Sequence, residues 1–117
     1  MKIHLESQGF ELTAAIRAHV HKQVNFNLAN FSGHILSVGV FLRDVNGPKG
    51  GADMKALLRV KLVSSGQAIK VESTRSDLYA SITLAARQAK RAVKRSLSKQ
   101  RHMEKLAVRH MRQFPQF

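Results

Sequence analysis

The chain alternates between two hydrophobic rhythms. In Lys2–Glu6, Ile3 and Leu5 alternate with Lys2, His4 and Glu6, the period of a short strand with one buried face. From Ala14 to about Ala29 the period lengthens. Ile16, Val20, Val24 and Leu28 recur every four residues, an amphipathic helix with Thr13 placed to cap it and Arg17, His21 and Lys22 facing outward. Ser32-Gly33 closes that segment. His34 to Arg43 returns to period two, with Leu36, Val38, Val40 and Leu42 on one face and Ser37, Gly39, Phe41 and Arg43 on the other. Lys55 to Val63 and Ala68 to Thr74 repeat the pattern, the first with Leu58, Val60 and Leu62 inward, the second with Ile69 and Val71. Asn46–Gly51 reads as a loop between strands and Ser64–Gln67 as a tight turn.

The last rhythm is the longest. Ser76-Asp77 precedes a run from Leu78 to Arg112 that contains neither Gly nor Pro. At 100° per residue, Leu78, Ile82, Ala85, Ala89 and Val93 share one side of a helix. The small residues Ala85, Ala89 and Ala92 allow a close approach to a sheet. Ser76 or Asp77 caps the helix, and Asp77 adds negative charge at the positive end of its dipole. After Leu97 the pattern weakens: Ser96 and Ser98 are poor helix formers, while Met103, Ala107, Met111 and Phe114 still draw one stripe. Pro115 ends any helix by about Phe114. The order is therefore β-α-β-β-β-α. It predicts an α+β fold: a four-stranded mixed sheet in the order 1-2-3-4 with two helices packed on one face. Residues 1–97 form the domain and residues 98–117 a basic extension, helical or disordered.

Charge changes the picture at this helix. Lys and Arg number 20 against 7 Asp and Glu, a formal net charge of +13. The first sixty residues hold seven basic and four acidic groups, and the remainder thirteen and three. Arg87, Lys90, Arg91, Lys94 and Arg95 lie opposite the apolar side of the last helix, and Lys99 and Arg101 extend them. After Asp77 the only acid is Glu104. A one-signed row on a rigid rod is a surface for a polyanion, with Arg17 and Lys22 of the first helix adding contacts nearby.

Other chemistry finds little support. There is no Cys, which excludes disulfides and thiolate catalysis. No run approaches the roughly 20 apolar residues of a membrane span, and the N-terminus lacks a signal peptide's continuous apolar segment, so a cytoplasmic location is expected. His19 and His21 point to opposite sides of one helix and cannot clamp one metal. The glycines of Asn46–Gly51 precede a strand, whereas a phosphate-cradling loop opens a helix. Neither an enzyme nor a cofactor is expected. Tyr79, at the edge of the apolar side, fits a core tyrosine with a wet hydroxyl better than a base-stacking residue.

Glu11-Leu12-Thr13-Ala14-Ala15-Ile16-Arg17, and above all Asp77-Leu78-Tyr79-Ala80-Ser81-Ile82 followed by Arg91, Lys94 and Arg95, resemble the ribosome hibernation-promoting factors in their short form. That family includes the ribosome-associated translation inhibitor, also called the ribosomal subunit interface protein. The resemblance covers about residues 1–97. It implies a stress and stationary-phase factor whose partners are the small ribosomal subunit with its 16S ribosomal RNA and the 70S ribosome. It implies that the basic helix lies against ribosomal RNA where messenger and transfer RNAs bind, so that translation stops by occupancy. Arg91, Lys94 and Arg95 match basic positions of the family helix, and Asp77, Tyr79 and Ile82 match its opening. Arg87 and Lys90 stand where the family commonly has acids. Two other readings remain at this point: a double-stranded RNA module with no ribosome specificity, and a protein- or membrane-surface factor acting through Met103, Met111 and Phe114.

Overall fold

The computed structural model describes residues 1–45, 53–64 and 68–113, the last five by their backbone alone. The elements are β1 (Lys2–Gln8), α1 (Ala14–Leu28), a 3-10 helix (Ala29–His34), β2 (Ile35–Asp44), β3 (Met54–Leu62), β4 (Ala68–Arg75) and α2 (Leu78–Gln113). The sheet order is β1-β2-β3-β4. β1 and β2 are parallel, joined through α1, and the other two pairs are antiparallel. The fold is the expected α+β arrangement. The expected loop at Asn46–Gly51, most of the turn at Ser64–Gln67 and the stop at Phe114-Pro115 lie outside the described residues.

Register explains the core. Ile3 and Leu5 pair with Val38 and Val40, which pair with Val60 and Leu58, which pair with Ile69 and Val71. All eight point to one face, because side chains separated by two residues share a side. Both helices add to the same cluster: Ile16, Val20, Val24 and Leu28 from α1, and Leu78, Ile82, Ala85, Ala86, Ala89, Val93 and Leu97 from α2. Thr13 caps α1 as expected, its Oγ1 accepting from the Ile16 amide at 3.2 Å. Between β1 and α1 the chain turns at Gly9, whose φ of +92° would strain any residue with a Cβ.

Two expectations need correction. Leu36 does not lie on the inner face of β2. A bulge between Ile35 and Ser37 sets two residues of β2 against one of β3, so Ile35 turns inward at 2% exposure and Leu36 outward at 52%. On α2 the tightest small residues are Ala85, Ala86 and Ala89, all fully buried, while Ala92 is only half-buried.

Ser81 anchors the start of α2 to the sheet. It is fully buried. Its Oγ accepts from the Arg75 amide at 2.9 Å and donates to the Met54 carbonyl at 2.7 Å, so one hydroxyl ties α2 to the ends of β3 and β4. Ser81→Ala leaves both backbone groups without that partner. We expect it to cost about 1–3 kcal/mol, read as a lower Tm and denaturation midpoint.

α2 also outruns the domain. The molecule measures 68 × 24 × 18 Å with a radius of gyration of 17.9 Å, where a compact chain of this length would have about 13 Å. The last core residue is Leu97. Gln100 makes a final anchor, its Nε2 donating to Ser64 Oγ at 3.0 Å. From Arg101 to Val108 every side chain is exposed, including Met103 and Ala107 of the expected stripe. Met111 and Phe114 of that stripe lie outside the described side chains.

Candidate nucleic-acid interface

The burial of α2 decides where its cations go. Leu78, Ser81, Ile82, Ala85, Ala89 and Val93 recur at three- and four-residue steps and face the sheet. The residues between them are forced outward. Arg87, Lys90, Arg91, Lys94, Arg95, Lys99 and Arg101 are all exposed. They fall into two four-step rows, Arg87-Arg91-Arg95-Lys99 and Lys90-Lys94, with Arg101 further along the second. At 1.5 Å per residue the patch from Arg87 to Arg101 is about 21 Å long.

None of these cations is in an ion pair among the described residues. The basic side chain that is so held, Lys55, lies on the sheet, 3.0 Å from Glu72. Like charges four apart on a helix repel by a few tenths of a kcal/mol per pair. Arg87 with Arg91, Lys90 with Lys94 and Arg91 with Arg95 therefore cost the free protein stability that a bound polyanion would return.

Arg17 and Lys22 are both exposed, but they face different ways. The side of α1 that meets α2 is marked by His19. Its Nε2 lies 3.1 Å from both the Tyr79 carbonyl and Thr83 Oγ1, and its ring packs edge-on against Tyr79 at 5.0 Å. Because a carbonyl only accepts, Nε2 carries the proton in this arrangement. Lys22 is one turn after His19 and shares its side, the one that meets α2. Arg17 is two residues before it, about 160° around the helix, and stands apart on another surface.

His19 is the residue that sequence reasoning passed over. It bears on the interface because it ties α1 to the first turns of α2. Only its position one helical face from Ile16 and Val20 hinted at a contact. Tyr79 is 39% exposed and packs on His19 at the edge of the core. Asp77 caps α2, its Oδ1 accepting from the Tyr79 amide at 3.2 Å.

Among the described residues no group of His, Asp or Glu is arranged to hold a metal ion, and no helix is long and apolar enough to cross a membrane.

A family model described as Sigma 54 modulation protein / S30EA ribosomal protein matches residues 3–101. Among solved structures, the N-terminal domain of Protein Y from Thermus thermophilus is 30% identical, with a TM-score of 0.67, covering 81% of this chain and 98% of its own. A ribosomal subunit interface protein from Coxiella burnetii has the same TM-score of 0.67 at 17% identity. That match covers 83% of this chain and 99% of the other, a likeness of fold. No curated relative matches the chain.

Proposed function

The chain belongs to the family described as Sigma 54 modulation protein / S30EA ribosomal protein, and on that premise we propose that it is a non-catalytic ribosome-binding factor. It occupies the messenger and transfer RNA channel of the small subunit, inhibits translation there, and holds ribosomes idle under stress. The observation that carries this reading is the double row of exposed cations on α2, none of them in an ion pair among the described residues. Arg87, Lys90, Arg91, Lys94 and Arg95 would meet phosphates of the 16S ribosomal RNA, with Lys99 and Arg101 extending the contact along the protruding helix. Lys22 adds to the same side, and Arg17 meets a neighbouring surface. Phosphate contacts position a protein without reading sequence, which suits recognition of one RNA channel by shape. Binding to ribosomes places the protein in the cytoplasm.

Co-sedimentation with purified ribosomes through a sucrose gradient tests this. We expect the protein to travel with the small subunit and the joined ribosome, and to be displaced by bound messenger and initiator transfer RNA. Protein that stays at the top of the gradient at physiological salt, yet shifts plain duplex RNA in a gel, would replace this reading with a general double-stranded RNA module.

A further inference from the structure

The helices cover one face of the sheet; among the described residues the other face is open. Its first row across the strands is Lys2, Ser37, Lys61 and Ala68, and its second is His4, Gly39, Arg59 and Lys70. Neither row contains an acid. The third row, Glu6, Phe41, Leu57 and Glu72, brings the acids in, and Glu72 is already held by Lys55. The open face is thus cationic at one end, away from its carboxylates.

An aromatic ring lies at the border. Phe41 belongs to the third row, but its ring leans back over the second. A Cβ at position 39 would sit 3.0 Å from Phe41 Cε2 and 3.4 Å from Cζ, so Gly39 is what lets the ring rest on the sheet. The half-buried ring forms one wall of a 360 Å³ hollow with Lys2, His4, Arg59 and Lys61 around it. On its other side Phe41 and Arg59 border a second hollow of 500 Å³ that reaches Lys70. The molecule has few aromatic residues, and this one borders the cationic rows and faces an open hollow among the described residues.

We propose that this open face is a second RNA site, separate from α2, which takes a single-stranded segment by stacking a base on Phe41 and holding its flanking phosphates with Arg59, Lys61 and Lys2. The charge calls for a polyanion, and the ring for a polyanion that carries flat π-faces. A single strand supplies both, because its bases can splay out onto an aromatic platform. A duplex keeps its bases stacked inward and cannot reach the ring, and an acidic peptide supplies charge alone. Neighbouring strands are about 4.8 Å apart, so the row from His4 to Lys70 spans about 14 Å, room for two or three nucleotides. The inference is independent of the ribosome reading, since the two surfaces lie on opposite sides of the sheet.

The test is an amide chemical-shift titration of the intact protein with a uridine hexamer at about 150 mM salt, where weak non-specific binding is suppressed. Shifts should cluster at His4, Gly39, Phe41 and Arg59. Phe41→Leu keeps an apolar side chain on Gly39 and should weaken binding about fivefold or more, the lower end for loss of one stacked base. Arg59→Gln with Lys61→Gln, both exposed and so harmless to the fold, should weaken it about tenfold and reduce its salt dependence. Both variants should still co-sediment with ribosomes. Shifts confined to α2, unchanged affinity in Phe41→Leu, or equal displacement of the hexamer by duplex RNA or polyglutamate would each overturn the proposal.

Discussion

Replacing Arg91, Lys94 and Arg95 together by Glu is expected to abolish ribosome binding while leaving the fold intact. Each Lys or Arg that neutralises a phosphate releases about one counterion, so losing three contacts should lower the slope of log affinity against log salt by about three. Reversal adds repulsion to that loss. At physiological salt we expect affinity to fall on the order of a thousandfold or more, read by co-sedimentation and by titration across a salt series. Stability should move little, and upward if at all. The three side chains are exposed and make no hydrogen bond or ion pair among the described residues. The substitutions also place new carboxylates four residues from Arg87, Lys90 and Lys99, turning three repulsive pairs into attractive ones worth a few tenths of a kcal/mol each. Unchanged ribosome binding in a variant with a native Tm would remove α2 from the interface.

That contrast separates what a sequence can show from what it cannot. The cations of α2 were legible because helical burial follows a period of 3.6, and a residue opposite Ile82 and Ala89 has nowhere to go but outward. β3 was legible for the same kind of reason, with period two carried through Leu58, Val60 and Leu62. The bulge at Leu36 was not. Ile35 and Leu36 are both apolar and adjacent, and only the pairing with β3 decides which one turns inward. Interactions between distant segments were equally hidden. Ser81 is an ordinary polar residue until the Met54 carbonyl and Arg75 amide arrive beside it. In the sequence His19 shows only that it cannot share a metal with His21, and it proves to be a hydrogen-bonded contact with Tyr79 and Thr83, sixty and more residues away. Arg17 and Lys22 looked equivalent because both are exposed cations on α1. Their difference appears only once His19 shows which side of α1 meets α2.

The small residues beneath α2 give the second large expectation, on stability. Ala85 and Ala89 are four apart, so they form one ridge along the helix, and both are fully buried against the core. Ala85→Leu with Ala89→Leu would insert three carbons at each of two adjoining sites. The same core cluster holds Leu58, Val60 and Leu62 of β3, each exposed by 2% or less. A close-packed interior cannot absorb that volume without moving α2 or forcing strained rotamers. Overpacking costs about 1–3 kcal/mol per site, and neighbouring sites share the same displaced helix. The combined loss, about 2–6 kcal/mol, is comparable with the whole stability of many domains. We expect Tm to fall by more than about 10 °C, or the domain to lose cooperative unfolding. Leucine is as good a helix former as these positions require, so intrinsic helix propensity cannot account for the loss. The readout also bears on the interface. If α2 is lifted rather than unfolded, His19 loses its seat on Tyr79 and the α2 cations shift relative to Lys22. Ribosome affinity would then fall even below the new Tm, whereas a purely thermal effect would leave low-temperature binding unchanged. A double variant with native Tm would mean that α2 lies farther from the sheet than its buried alanines indicate.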